Sequence, residues 1–171
     1  ESFAQQKRRA YVHLATGAGK TFTACTFCYR LIRHARAKRI LFLVDRGNLG
    51  QQAYDSFSQW HIPEFDRKFT DEYSVVRLSS GAIEGNPRVV ISTIQRIYSI
   101  LTHSPMCDAD DEQSVQDSDE MKQVVYNASL PPEYFDFIVV DECHRSIYKN
   151  WKQVLEYFDS TIIGLTATPT D

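Results

Sequence analysis

The 171-residue chain has room for one domain with a real core, and its 43% hydrophobic and 24% charged residues exclude a disordered tail. No stretch reaches the ~18 consecutive apolar residues of a membrane span, and no basic start followed by an apolar run marks a secretory signal. The net charge of −3 excludes little, but residues 1–46 carry ten Lys/Arg against two acids, and residues 104–122 seven acids against one Lys. A basic first third is compatible with a nucleotide or a nucleic acid as partner.

Along the chain, short apolar runs alternate with helix-like stretches, the pattern of an α/β fold on a mainly parallel sheet. Residues 11–14 read as the first strand and 21–34 as the helix after it. Residues 39–44 form a second strand, almost uniformly apolar as expected when helices cover both faces. A helix over 48–60 follows, then a weaker strand at 75–78, a better one at 88–92 and a helix near 93–102. The last two strands fall at 137–140 and 161–165, with a helix at 150–158 between them. No internal repeat interrupts this order, and the whole of 1–171 reads as one domain. The start at Glu1 without an initiator Met, and the end directly after a motif, read as a piece of a longer protein.

Residues 103–133 break the rhythm. They are polar and acidic, hold Pro105 and the pair Pro131-Pro132, and read as a mobile surface insertion with a short helix near 119–127. The acid run at 108–112 lacks the glycine and terminal glutamate of a calcium loop. The sequon Asn127-Ala128-Ser129 has no secretory route to serve and reads as chance. Cys25 and Cys28 make a lone C-x-x-C, which a redox or zinc reading could claim. Yet Cys25 falls on the stripe Phe22, Cys25, Tyr29, Ile32, and Cys28 on Ala24, Cys28, Leu31, Ala35. Both stripes have helical spacing, which favours buried packing thiols. Reduced thiols suit the cytoplasm.

Chemistry enters after the first strand, with Ala15-Thr16-Gly17-Ala18-Gly19-Lys20-Thr21 leading into a helix. Gly17 and Gly19 let the backbone curl so that successive N–H groups of Thr16 to Thr21 point at phosphate oxygens. The helix start adds its dipole and unpaired donors. Lys20 brings a charge to the β and γ phosphates, and the Thr21 hydroxyl suits magnesium. The match to G-x-x-x-x-G-K-[ST] is complete except for Leu14 at the first glycine. About 120 residues later, four apolar residues run into Asp141-Glu142-Cys143-His144. At the end of a parallel strand, Asp141 can hold the magnesium and Glu142 can orient and deprotonate the attacking water. Lys20, Asp141 and Glu142 are therefore the catalytic candidates, with ATP and magnesium as the implied ligands.

Asp141-Glu142-Cys143-His144 resembles the DEAD/DEAH box, and Leu165-Thr166-Ala167-Thr168-Pro169 the T-A-T motif, of superfamily two helicases and translocases. The resemblance sharpens at residues 40–46 with Leu49, Gln52 and Ala53, and at 88–98. It is most specific at 135–148, where the box is extended by Arg145-Ser146-Ile147-Tyr148, and then at Trp151 and Val154 to Asp159. These segments are similar to the motor (R) subunits of type I restriction enzymes and cover nearly all of the chain outside the acidic insertion. The resemblance implies the first RecA-like domain of such a motor, a three-layer P-loop NTPase fold that hydrolyses ATP to pull duplex DNA. It implies that His144, Thr166 and Thr168 couple the nucleotide site to DNA, and that Arg46, Thr93 and Gln95 touch the DNA backbone. For these last three, a strand-end or helix-capping role is an equal reading.

The same resemblance implies partners: double-stranded DNA, DNA-recognition and methyltransferase subunits, a nuclease domain, and a second RecA-like domain that completes the site with an arginine finger. The isolated fragment is then expected to bind nucleotide weakly and barely hydrolyse it. A DNA repair or type III restriction helicase is the alternative within the motor class. Outside it stand a non-translocating, nucleotide-dependent DNA-binding switch, against which Glu142 argues, and a small-molecule phosphotransferase, whose Arg-rich lid is not found.

Overall fold

The computed structural model describes residues 8–14, 19–104, 122–141 and 149–166. In chain order these form β1 (Arg9–His13), α1 (Lys20–His34), β2 (Ile40–Val44), α2 (Gly47–Gln59), β3 (His61–Ile62), β4 (Arg67–Lys68), α3 (Phe69–Glu72) and β5 (Val75–Arg77). Then follow β6 (Val89–Thr93), α4 (Ile94–Leu101), β7 (Phe137–Asp141), α5 (Lys149–Tyr157) and β8 (Thr161–Thr166). The strands and helices expected from the apolar runs are all present, shifted by a residue or two at their ends.

Six strands make one sheet in the order β1-β8-β7-β2-β6-β5, and every neighbouring pair is parallel. The crossovers β1→β2 and β2→β5 step toward one edge, whereas β5→β6, β6→β7 and β7→β8 step back. Right-handed crossovers in opposite directions must place their helices on opposite faces, and the packing follows that rule. Ile40, Phe42 and Val44 of β2 point into one core with α1 and α2, while Leu41 and Leu43 point into the other with α4 and α5. The result is three layers, with β2 buried on both faces.

On the first face, α1 contributes Ala24, Cys25, Cys28, Tyr29, Leu31 and Ile32. Both cysteines are buried free thiols, as the helical stripes predict. Phe57 of α2 meets Phe42 edge-on at 5.9 Å and Phe69 at 5.2 Å between ring centroids. The small β3–β4 hairpin and α3 were not foreseen; they deliver Ile62 and Phe69 to this core, both fully buried.

On the second face, the part of the acidic insertion that is described, residues 122–133, lies against α4 and α5. The expected helix near 119–127 is absent over 122–127. The N–H groups that would close helical turns go elsewhere: Val124 donates to Gln153 Oε1, Val125 to the Leu101 carbonyl and Asn127 to the Tyr157 hydroxyl. The Tyr98 and Tyr157 hydroxyls donate in turn to the carbonyls of Lys122 and Leu130. The acid run at 108–112 lies outside the described residues.

Candidate functional site

Because all six strands run the same way, their carboxyl ends line one edge of the sheet, where α/β folds bind ligands. Along that edge the register orders the candidate residues. Thr166 ends β8 and pairs with His13 of β1, and the Leu14 N–H donates to the Thr166 carbonyl at 3.0 Å. Asp141 ends β7 and lies opposite Leu165 of β8, one residue short of Thr166. Two strand spacings, about 10 Å, therefore separate the Asp141 strand from the strand that feeds the phosphate loop.

Gly19 precedes α1 with φ 73° and ψ 42°, in the left-handed region where glycine is at home. Having no side chain, it makes no side-chain cap to the helix, and the first turn holds no acidic residue. Lys20 and Thr21 occupy that first turn, both half-buried. A left-handed glycine, a helix start without an acidic residue and a lysine together fit an anionic ligand such as a phosphate chain. Thr16, Gly17 and Ala18 of the loop, Glu142 and His144 of the box, and Thr168 lie outside the described residues. Among the described residues no cluster of three or more His, Cys, Asp or Glu side chains could hold a metal by itself. No described helix is long and apolar enough to cross a membrane.

The candidates for DNA contact share this edge, on the other side of Asp141. Val44 ends β2 opposite Thr93 of β6, so Arg46 and Gln95 follow adjacent strand ends. Arg46 precedes α2 in extended conformation, and its Nε stands 3.5 Å from the Asp45 carboxylate. Thr93 caps α4, its hydroxyl oxygen accepting from the Arg96 N–H at 3.3 Å. Gln95 is half-buried in the first turn of that helix.

Two residues at this edge were not singled out from sequence. Asp45 follows β2 as an acid after an apolar strand, the same signal that marks Asp141, and its side chain is only 14% exposed beside Arg46. Arg96 is fixed in the first turn of α4, its guanidinium donating to the Ser79 carbonyl at 2.6 Å.

Comparison with known proteins agrees with this architecture. The family model described as "Type III restriction enzyme, res subunit" matches residues 1–171. The type I restriction enzyme EcoAI endonuclease subunit of Escherichia coli is 32% identical over 175 residues, which is 100% of this chain and 18% of that subunit. The EcoKI endonuclease subunit of E. coli strain K12 is 31% identical over 175 residues, covering 91% of this chain and 13% of the subunit. The chain thus spans less than a fifth of the curated relatives it matches. Among solved structures, the UvsW helicase of bacteriophage T4 superposes with a TM-score of 0.60 at 18% identity, over 95% of this chain and 48% of that one, a likeness of fold. The RecA-like helicase fold and the match along its full length place the chain in the restriction-enzyme family described as type III res subunits, homologous to type I restriction endonuclease subunits.

Proposed function

We propose that this chain is the ATP-binding and ATP-hydrolysing motor domain of a DNA translocase, working within the R subunit of a type I restriction endonuclease. The observation that carries the reading is the carboxyl edge of the sheet. There the left-handed Gly19 opens α1 directly onto Lys20 and Thr21, and Asp141 ends a strand two places away.

Under this reading Thr16 to Thr21 hold the phosphates of ATP, with backbone N–H groups and the Lys20 ammonium opposing their charge. Thr21 and Asp141 hold magnesium, which when bound neutralises charge that builds on the transferring phosphoryl group. Glu142, next in the chain to Asp141, orients the attacking water and takes its proton. His144, Thr166 and Thr168 link that site to DNA. Thr166 is well placed for such a link, since it lies between the β1 and β7 strand ends and is fully buried. Arg46, Thr93 and Gln95 touch the DNA backbone, giving grip without sequence information. Recognition of a target then belongs to a separate specificity subunit, modification to a methyltransferase subunit, and cleavage to a nuclease domain. The second wall of the site belongs to another RecA-like domain. The assembly works in the cytoplasm, where the buried thiols stay reduced.

The test is Lys20→Ala in the full-length protein. DNA-stimulated ATP hydrolysis is expected to fall by roughly 10²–10³-fold, the loss typical when one preorganised charge is removed, with the fold and DNA binding retained. Undiminished hydrolysis would mean that the phosphate site is misassigned. Hydrolysis without movement along DNA would favour a non-translocating switch. The description of the matching family favours a second reading, a type III restriction motor. A nuclease domain upstream in the full-length protein would support the type I assignment over it.

A further inference from the structure

The far end of α1 carries a second feature, on the amino-end edge of the sheet. The helix runs from Lys20 to His34, about 22 Å at 1.5 Å per residue, so its two ends serve opposite edges. At the far end Arg30, Arg33, His34, Arg36 and Lys38 are exposed, while Leu31, Ile32 and Ala37 between them are buried and pin the turn to the core. No acidic residue occurs from Ser2 through Val44. Two carboxylates adjoin this end, and neither forms an ion pair with these side chains. Glu64 lies near the Tyr29 hydroxyl, where burial first and then this carboxylate hold the pKa up, and Asp136 accepts from the Lys38 and Arg39 backbone N–H groups at 2.7 and 3.0 Å. Among the described residues, no ion pair engages the side chains of Arg30, Arg33, Arg36 or Lys38.

The ordinary explanation, cations complementing the carboxyl end of a helix dipole, covers Arg33 and His34 in the last turn. It does not cover Arg30, a turn earlier, or Arg36 and Lys38 beyond the helix. Arg36 is the more telling. The chain leaves α1 with the Ala35 and Ala37 N–H groups both reaching the Leu31 carbonyl, and Arg36 between them has φ 55°. Glycine is the usual residue at such a turn. The other described non-glycine residues with positive φ are Asp66 and His103, of types enriched in that region, whereas arginine is not. A strained backbone thus holds an exposed arginine that no core packing requires.

We propose that Arg30, Arg33, Arg36 and Lys38 form a second contact for the phosphate backbone of duplex DNA, at the opposite end of α1 from the nucleotide. The exposed residues from 30 to 38 are basic apart from Ala35, and no large apolar or aromatic side chain is exposed among them. Phosphate binding needs only such cations, whereas a protein interface needs an apolar centre. The choice of DNA as the polyanion rests on the motor reading above.

Binding of a fluorescent duplex to the full-length protein, measured against salt without nucleotide, tests the assignment. Each phosphate contact contributes about −0.9 to the slope of log affinity on log salt. The combined variant Arg30→Ala, Arg33→Ala, Lys38→Ala should therefore make the slope shallower by about 2–3, with affinity at least tenfold weaker near physiological salt. Arg36→Gly should make it shallower by about 1 while raising Tm, because glycine relieves the strained turn. A gain in stability with a loss of grip is not the signature of a merely structural residue. Unchanged slope and affinity in both variants would overturn the proposal. Unchanged DNA binding with lost assembly of partner subunits would overturn it in favour of an acidic protein surface. Lys20→Ala separates the two readings: it should lower hydrolysis by roughly 10²–10³-fold and leave this slope intact, and normal hydrolysis in it would overturn the motor reading alone.

Discussion

Among the described residues, a methyl group added at Gly19 would meet only the Phe22 Cβ, at 3.9 Å, so none of them crowds it out. The demand is conformational, since φ 73° costs an L residue about 1–2 kcal/mol. Gly19→Ala is expected to lower unfolding stability by that amount and to remove the upward shift of Tm that ATP gives the full-length protein. Thermal unfolding with and without nucleotide checks both. Thr93 calls for the opposite kind of test, because its cap on α4 is structural whatever else it does. Thr93→Ala should cost about 1 kcal/mol in DNA-free protein, and Thr93→Ser should restore it. Any loss of DNA affinity that the serine also repairs belongs to the hydroxyl. Lys20, Thr21 and Asp141 stand out in the sequence as candidates because their signals are local: glycines before a lysine, an acid after four apolar residues. The cap made by Thr93 was legible only as an alternative, because a threonine before a helix writes the same letters for a cap and for a DNA contact.

At the scale of elements, the stretch 122–130 is a strap held by its neighbours. The Tyr157 hydroxyl accepts from the Asn127 N–H at 3.1 Å and donates to the Leu130 carbonyl at 2.9 Å, and Asn127 Nδ2 reaches the Ile100 carbonyl at 3.2 Å. Tyr157→Phe removes both bonds to the strap and is expected to cost about 1–3 kcal/mol. Hydrogen exchange should report the loss as faster exchange at Asn127, with the sheet strands unaffected. An equal rise across β2 and β7 would show instead that the strap is part of the global fold. The expected helix over this stretch failed because its backbone partners come from α4 and α5, a tertiary competition that no local spacing displays. The β3–β4 hairpin escaped notice for another reason. Two-residue strands, His61-Ile62 and Arg67-Lys68, are too short to alternate. The long strands were legible because burial on both faces writes uninterrupted apolar runs, as in β2.

For the molecule as a whole, the buried thiols set a limit at alkaline pH. Burial pushes the Cys25 thiol up to about 12 from its ordinary 9.0 and raises Cys28 as well, helped by its neighbour Cys25. Between those values the unfolded chain has released protons that the folded chain keeps. It binds fewer, so stability falls as pH rises from about 9 towards about 12, by up to ~1.4 kcal/mol per pH unit for each thiol. Below pH 9 the effect is absent. Chemical unfolding at pH 8 and about pH 10 should show this drop, and Cys25→Ala with Cys28→Ala should flatten it. The order of the strands was not written in any local pattern, and only the chirality of the crossovers restricts it.

That order has a further consequence, for the sequence of events during synthesis. Among the described strands of this sheet, β1 is the first to be synthesised, yet its neighbour is β8, the last of them, with Arg9 set against Ile162. β1 must therefore wait, unpaired with β8, until residues 161–166 have been made, and such distant pairings close slowly. The proposed phosphate loop follows that waiting strand in the sequence. Under the proposed function, a nascent chain is then unable to grip ATP until these strands are complete, and a truncated product lacking β8 leaves the proposed nucleotide site unassembled.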